Sequence, residues 1–215
     1  MSAEESPVIF KAMIKGIAFD LDGTLTRPCI DFRGIRNRIG GLEPNLPIYE
    51  QALKLPALEK ARAMAILEEV EMECAGRAEP NPEVYELIQY LEARGIRKAI
   101  FTRNARRALD LTLSLLGLSG RFDPMITREL GLKLKPDPES ILYILRHWQL
   151  APEQVLVVGD FAFDLVAGNR AGCRTIYLNH QAGAGPGIPA DFLISRLDEI
   201  IKIMEGLNEA GSDQG

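Results

Sequence analysis

The sequence is poor in the residues that build disulfide frameworks and soft-metal sites. Its 215 residues include three cysteines, Cys29, Cys74 and Cys173, and two histidines, His147 and His180. The cysteines are widely spaced and form no Cys-x-x-Cys pair, so neither a disulfide framework nor a thiolate zinc site is expected. This cysteine usage favours a reducing compartment, and we expect a cytoplasmic protein.

Long hydrophobic runs and an excess of positive charge are also missing. No apolar stretch approaches the roughly 20 residues that a membrane-spanning helix needs. Glu4 and Glu5 stand where a signal peptide carries Lys or Arg. Acidic residues outnumber basic ones by 30 to 25, which gives a formal net charge of -5. Neither a nucleic acid nor an anionic membrane is therefore expected as a partner.

The apolar content of the chain is sufficient for one domain, or for one domain with a small insertion. Hydrophobic residues make up 47% of the sequence and charged residues 26%. Short apolar runs alternate with helical patterns, which predicts an α/β fold with a Rossmann-like parallel sheet and helices on both faces. The predicted strands are Met13–Phe19, Arg97–Phe101, Pro124–Thr127, Val155–Val158, Thr175–Leu178 and Phe192–Ile194. The predicted helices between them are Pro82–Arg94, Ala105–Leu116, Pro138–Trp148, Phe161–Ala171 and Leu197–Gly206.

One segment interrupts this alternation. Between residues 27 and 77 there is no convincing strand, only helical runs such as Phe32–Ile39, with Asp31 as its predicted N-cap, and Ala57–Cys74. We predict that the segment is an inserted helical cap and that the following AGRAEPNP stretch, rich in Gly and Pro, is a hinge. The predicted organisation is a core of residues 11–26 and 78–206, a cap of residues 27–77, and tails of residues 1–10 and 207–215.

Polar side chains follow several of the predicted strands at the carboxyl ends, where parallel sheets bind their ligands. Alternation at the end of the first strand points two carboxylates in similar directions, and Gly23 permits a sharp turn after them. The polar set is Asp20 and Asp22 after the first strand, Thr102, Arg103 and Asn104 after the second, Lys135 ahead of the fourth, and Asp160 and Asp164 after it.

Carboxylates gathered at one sheet edge repel one another, and a bound divalent cation removes that repulsion. Oxygen ligands with no His or Cys nearby favour Mg²⁺. Lys135 and the Thr102 hydroxyl suit phosphate oxygens, and a carboxylate beside a metal and a lysine can attack phosphorus to form an aspartyl-phosphate. Taken singly, each residue has an ordinary alternative as a turn, a helix N-cap or a surface lysine. One phosphate site accounts for all of them together.

The motifs FDLDGTLT, FTRN, KPDP and GDFAFDLVAGNRAG, in this order, resemble the four motifs of the haloacid dehalogenase superfamily of phosphotransferases. The resemblance extends from Ala18 to about Leu178, and the phosphoglycolate-phosphatase-like members with a small cap are the most similar subgroup. It implies a Rossmann-like core with a helical cap inserted after the first motif. The predicted cap is short and apolar, which suits a small phosphorylated metabolite as the substrate better than a protein or a nucleic acid.

The resemblance implies a role for each motif residue. Asp20 matches the nucleophile that becomes phosphorylated, and Asp22 the acid/base that protonates the leaving oxygen and then activates water. Thr102 matches the phosphate-binding hydroxyl, and Lys135 the lysine that holds the nucleophile and the phosphate. The implied metal site consists of Asp20, Asp22, Asp160 and Asp164, the last acting directly or through water.

Several details bear on the choice among activities. Asp22 disfavours a dehalogenase, because a halide leaves without protonation and that branch of the family lacks this aspartate. No Gly-x-Ser-Arg-type element of the sugar-phosphate mutases occurs in residues 27–77, so a hydrolase is preferred to a phosphomutase. A non-catalytic phosphate-ligand binding or regulatory protein is the alternative from another class. The candidate substrate contacts are Thr102, Arg103, Asn104, Lys135 and Arg27.

Two of these contacts leave alternatives open. Many members of the subgroup read DGTLxDS, whereas this chain has Thr26-Arg27-Pro28 after Leu25. Arg27 either reaches an anionic leaving group or pairs with a carboxylate of the cap. Arg103 either contacts the substrate or is a helix-start or surface arginine.

Overall fold

In the computed structural model of the chain, which describes residues 13–180 and 187–212, a parallel sheet forms the centre of the molecule. Its strands in chain order are β1 Gly16–Phe19, β2 Arg97–Phe101, β3 Met125–Ile126, β4 Val155–Gly159, β5 Arg174–Leu178 and β6 Phe192–Ile194. The order across the sheet is β3-β2-β1-β4-β5-β6. The α/β fold with a parallel sheet is therefore confirmed.

Helices lie between the strands. Within the described ranges they are α1 Phe32–Ile39, α2 Ile48–Leu53, α3 Ala57–Gly76, α4 Val84–Ala93, α5 Arg106–Leu115, α6 Glu139–Trp148, α7 Ala162–Arg170 and α8 Glu199–Ser212. Short 3₁₀ turns occupy Arg128–Leu130 and Pro152–Gln154. Among the helices that the structure describes, none is both long and apolar enough to cross a membrane.

The predictions missed one helix and shortened another. The short α2, which begins directly after Pro47, was not predicted. The last helix was predicted to end at Gly206, with a tail from residue 207, but α8 continues through Ser212. Residues 1–10 and 213–215 of the predicted tails lie outside the described residues.

The central strands are buried because helices cover both faces of the sheet. Side chains alternate along β1, so that Ile17 and Phe19 pack towards α4, α5 and α8, whereas Ala18 packs towards α6 and α7. In the pairing of β1 with its neighbours, Phe19 lies beside Ile100 of β2 and Val158 of β4. The strand order reverses between β1 and β4. The residues that follow these strands therefore meet at the switch point of the sheet, where α/β proteins bind ligands.

The three helices between β1 and α4, here called the inserted helices, have a small apolar cluster of their own. It includes Ile35 of α1, Ala52 of α2 and Leu67 of α3. As predicted, Asp31 caps the first of them, since its side chain accepts a hydrogen bond of 2.9 Å from the Gly34 amide. The cluster holds α1, α2 and α3 to one another as a unit.

The expectation from cysteine usage is wrong for two of the three cysteines. Cys29 and Cys74 form a disulfide, with their Cα atoms 5.7 Å apart. The residues are 45 positions apart in sequence, so their spacing did not indicate that they are neighbours. Cys29 precedes α1 and Cys74 lies in the last turn of α3, and the two ends of the inserted helices therefore meet at their base. Cys173 is free and buried, and burial raises its pKa to about 12.

The disulfide predicts the number of reactive thiols in the denatured protein. Without reductant, we expect one thiol, that of Cys173, to react with a thiol reagent, and after reduction three. In a Cys29→Ser variant, Cys74 loses its partner, so two thiols should react without reductant. Mass mapping of the unreduced wild type should find Cys29 and Cys74 in linked peptides. Three reactive thiols in the unreduced wild type would contradict the bond.

Candidate active site

A cavity of about 540 Å³ lies between the carboxyl ends of the central strands and the inserted helices. Asp20, Thr102 and Asp160, which follow β1, β2 and β4, line its floor. Ile35 of α1 and Tyr49 of α2 line the opposite side. The predicted convergence of strand-end residues is therefore present, and these residues lie at the floor of a cavity.

Three carboxylates meet at the floor of the cavity. Asp20 leaves β1 with its amide bonded to the Val158 carbonyl of β4 at 3.0 Å, which holds it beside the neighbouring strand. Asp160 follows β4, and Asp164 lies in the first turn of α7. One oxygen of each of the three carboxylates lies within 4.8 Å of the others. Oxygen donors at this spacing fit a hard divalent cation such as Mg²⁺.

Lys135 is the cation at this group. Its Nζ lies 2.5 Å from Asp20 Oδ1 and 2.5 Å from Asp164 Oδ1. Burial disfavours the ammonium, but the two carboxylates outweigh it and raise the pKa of Lys135. Burial and then the charge of Asp20 raise the pKa of Asp160 to about 8, and burial raises that of Asp164 to about 7. One ammonium does not neutralise three carboxylates, so the group suits a further positive charge.

Asp22 lies apart from these carboxylates, although it was predicted as a metal ligand. The extended strand ends at Phe19, so the alternation of side chains expected from the sequence does not continue to residue 22. Asp22 Oδ2 instead accepts a hydrogen bond of 2.6 Å from Asn104 Nδ2. Burial and then the charge of Asp20 raise the pKa of Asp22 to about 7. A carboxyl group with this pKa can hold a proton near neutral pH and release it.

The loop after β1 is held by two close approaches. Gly23 has a φ of +83°, and a Cβ there would lie 2.0 Å from Asp160 Oδ2, so only glycine fits. Asn81, in the stretch predicted as a hinge, donates from Nδ2 to the carbonyls of Gly23, Thr24 and Thr26 at 3.1, 2.7 and 3.1 Å. These contacts hold the loop that carries Asp20 and Asp22.

Thr102, Arg103 and Asn104, the predicted candidates for substrate contacts after β2, all line the cavity. Thr102 is buried, and its Oγ1 accepts a hydrogen bond of 3.2 Å from the Asn104 amide. Arg103 is not at a helix start, since α5 begins at Arg106. Its guanidinium pairs with Glu50 of α2 at 2.5 Å and also donates to the Lys135 carbonyl. Arg103 therefore connects the inserted helices to the floor of the cavity.

Arg27 is not brought to this cavity. Its Nε lies 3.6 Å from Glu79 Oε2, and both side chains are exposed. It lines a different cavity, together with His180 and Arg196. The carboxylate that pairs with Arg27 thus belongs to the stretch predicted as a hinge and not, as the second alternative had it, to the predicted cap.

Glu71 and Arg128 are among the residues that line the cavity and were missed from the sequence. Glu71 of α3 is buried and pairs with Arg128, and its Oε2 accepts a hydrogen bond of 3.0 Å from the Ala105 amide ahead of α5. Both contacts join the inserted helices to the core. Glu71 is one of several acids along α3, and nothing in the local pattern distinguishes it from the exposed ones.

His180 was also missed, and here a signal existed. It follows β5, so the rule applied to the other strand ends would have included it. Its Nε2 is hydrogen-bonded to the Gly23 carbonyl and lies 3.8 Å from Asp160 Oδ2. His180 therefore supports the loop after β1 at Gly23.

Comparisons with known proteins agree with this arrangement. The model of the haloacid dehalogenase-like hydrolases matches residues 14–172. The chain is 31% identical over 204 residues to an uncharacterized hydrolase of Saccharomyces cerevisiae, covering 91% of this chain and 93% of that one. It is 29% identical to a pyrophosphatase of Bacillus thuringiensis, over 59% of this chain and 60% of the other. The crystal structure of a predicted phosphoglycolate phosphatase from Haemophilus somnus superposes with a TM-score of 0.68 at 25% identity, covering 89% of this chain and 98% of that one.

Proposed function

The chain belongs to the haloacid dehalogenase-like hydrolase family, and we propose that it is a Mg²⁺-dependent phosphatase of a small phosphorylated metabolite, acting through an aspartyl-phosphate on Asp20. The observation that carries the proposal is the arrangement at the cavity floor. Asp20 contacts Lys135 and lies within 4.8 Å of Asp160 and Asp164, while Asp22 is held separately by Asn104. A nucleophile and a proton donor are thus two residues apart but differently surrounded.

In the first half-reaction, a carboxylate oxygen of Asp20 attacks phosphorus, and the bond from phosphorus to the leaving oxygen breaks as Asp22 donates its proton to that oxygen. In the second, the Asp22 carboxylate takes a proton from water, the water oxygen attacks phosphorus, and the bond to Asp20 breaks. Inorganic phosphate leaves, and both aspartates return to their first state. The raised pKa of Asp22 supports this double use, because the group is close to balance between its two forms.

The neighbouring residues are proposed to hold the phosphoryl group. The Lys135 ammonium has three donors, and after its contacts with Asp20 and Asp164 one remains for a phosphate oxygen. The Thr102 hydroxyl is a second donor. Mg²⁺ held by Asp20, Asp160 and Asp164 would supply positive charge that offsets the charge on the transferring phosphoryl group. A cavity of about 540 Å³, closed on one side by the inserted helices, suits a small substrate.

We expect removal of divalent cations to abolish turnover. Hydrolysis of p-nitrophenyl phosphate should fall at least about 100-fold in EDTA and return with Mg²⁺, because the carboxylates otherwise repel the phosphate. Ca²⁺, which takes more ligands at longer distances, should not replace it. Mg²⁺ should also raise the midpoint of thermal unfolding, since it binds the folded state. Asp160→Asn should weaken that rise.

The control is Asp110→Asn, which removes an exposed carboxylate that pairs with Arg106 on α5. It should respond to Mg²⁺ as the wild type does. Undiminished turnover in EDTA would contradict the metal dependence. No hydrolysis with any divalent cation would instead favour the non-catalytic phosphate-binding alternative.

A further inference from the structure

The charged residues that line the cavity are unequally partnered. Four are cations, and three of them have carboxylate partners in the described part of the chain: Lys135 with Asp20 and Asp164, Arg103 with Glu50, and Arg128 with Glu71. The fourth is Arg36 of α1. None of the carboxylates that the structure describes forms an ion pair with it. Arg36 is therefore the cavity cation whose charge is not matched by an acidic side chain.

The contacts of Arg36 are to backbone carbonyls. Nη1 donates to the Phe32 carbonyl at 3.3 Å, and Nη2 to the Leu46 carbonyl at 3.0 Å. Nε is buried and has no hydrogen-bond partner within the described residues. A guanidinium has five N–H donors, so most of its capacity is unused. A buried, unsatisfied donor of a charged group is costly, and an anion in the cavity would relieve that cost.

The cavity wall around Arg36 is largely apolar. Phe32, Ile35, Leu46 and Ile48 line this side, and the polar side chains between and beside them, those of Asn45 and Tyr49, carry no formal charge. Phe32 and Leu46 are about half exposed, at 56% and 52%, so their side chains are accessible to an apolar group in the cavity. An apolar surrounding also strengthens an ionic contact, because the local dielectric constant is lower than in water.

The acids of the inserted helices do not oppose an anion here. Glu50 and Glu71 face the floor of the cavity and are engaged by Arg103 and Arg128. The phosphoryl group, under the proposed function, lies at the floor beside Asp20. The leaving group must therefore extend towards the inserted helices, where it meets an apolar wall and one unmatched positive charge.

We propose that Arg36 determines substrate specificity by binding an anionic group, a carboxylate or a second phosphate, that the leaving group carries on an apolar body. This inference rests on the proposed phosphatase function. It concerns the residue that selects among phosphate esters and takes no part in the transfer of the phosphoryl group. The effect of Arg36 is accordingly expected in KM more than in kcat.

Three aryl esters test the inference: phenyl phosphate, 4-carboxyphenyl phosphate and benzene-1,4-diyl bisphosphate. With Mg²⁺, we expect the wild-type kcat/KM to be at least about tenfold higher for one of the two esters with a second anionic group than for phenyl phosphate. The better of the two identifies the anion as a carboxylate or a phosphate. Arg36→Gln should bring the ratio to near one, and Arg36→Lys should keep part of it. Arg33→Gln, which removes an exposed arginine of the same helix outside the cavity, should leave the ratio unchanged.

A second measurement does not depend on turnover or on the folding of a variant. Inhibition of the wild type by 4-(phosphonomethyl)benzoate should be at least about tenfold stronger than by benzylphosphonate, which lacks the carboxylate, if the anion is a carboxylate. The corresponding bisphosphonate is the probe for a second phosphate. A ratio near one in both assays, or a ratio that Arg36→Gln does not change, overturns the role of Arg36 while the phosphatase stands. Failure of the wild type to hydrolyse any of the esters overturns the proposed function and this inference with it.

Discussion

Replacing Asp20 with Asn should lower phosphatase turnover by about 10⁴-fold or more and leave the protein folded. The amide has no charged oxygen with which to attack phosphorus, so the first covalent step is lost. The fold should tolerate the change because Lys135 keeps its 2.5 Å contact with Asp164. One negative charge is also removed from a group of mutually repelling carboxylates. The midpoint of thermal unfolding should therefore stay close to that of the wild type.

The sharpest measurement for Asp20 is the phosphoenzyme itself. Wild type exposed briefly to ³²P-labelled acetyl phosphate and quenched in acid should carry label that hydroxylamine removes, as expected of an acyl phosphate. Asp20→Asn should carry none, and Asp110→Asn, which lacks an exposed carboxylate of α5, should be labelled like the wild type. If Asp20→Asn retained a tenth of the activity, or if the label mapped to another residue, Asp20 would not be the nucleophile.

The residues at the cavity floor could be predicted because the geometry of a parallel sheet decides their positions. β1, β2 and β4 are neighbours in register, so whatever follows them lies at one edge. The positions of Asp20 and Asp160 could be predicted from the ends of two apolar runs alone. Asp164 followed from helical periodicity, one turn into α7. These positions depend on the local hydrophobic pattern and on the rule that the carboxyl ends of parallel strands lie at one edge of the sheet.

The direction of Asp22 could not be predicted in the same way. It depends on the turn at Gly23, whose course is decided by contacts with Asn81 and Asp160. These two residues are 58 and 137 positions further along the chain. Alternation along a strand is a valid guide only as far as the strand extends, and β1 ends at Phe19. The sequence predicts Asn104 as a substrate contact, but its hydrogen bond to Asp22 is a tertiary contact that no spacing indicates.

The side of the cavity formed by the inserted helices was the least predictable part. The pairs Arg103–Glu50 and Arg128–Glu71 join residues 53 and 57 positions apart. α1 and α3 each have several charged residues and α2 has Glu50, and which of these face the core depends on how the inserted helices dock. The disulfide between Cys29 and Cys74 was unpredictable for the same reason, since it is a tertiary contact that joins the two ends of that segment. Local pattern identifies such a segment as helical without specifying its contacts.

Replacing Asp22 with Asn should slow the enzyme by about 10²- to 10⁴-fold on an alkyl monophosphate such as glycerol 2-phosphate. An alkoxide is a strong base and leaves poorly without the proton that Asp22 supplies. The amide that replaces the Asp22 carboxyl group can still form a hydrogen bond with Asn104, but its protons are not acidic enough to be transferred to the leaving oxygen. The phosphoryl site itself, formed by Asp20, Lys135 and Thr102, is unchanged, so KM should shift much less than kcat.

The same variant should behave differently on p-nitrophenyl phosphate, whose leaving group is a weak base and needs little protonation. Attack by Asp20 should remain fast, while hydrolysis of the acyl phosphate slows because water has lost its base. A burst of about one p-nitrophenolate per enzyme molecule should then precede slow turnover, and ³²P label from acetyl phosphate should accumulate above the wild-type level. Asp20→Asn should show neither the burst nor the label. Wild-type turnover in Asp22→Asn, or equal slowing on both esters without a burst, would contradict an acid/base role. Only a group that acts as the acid in the first half-reaction and as the base in the second slows a different step for each of the two substrates.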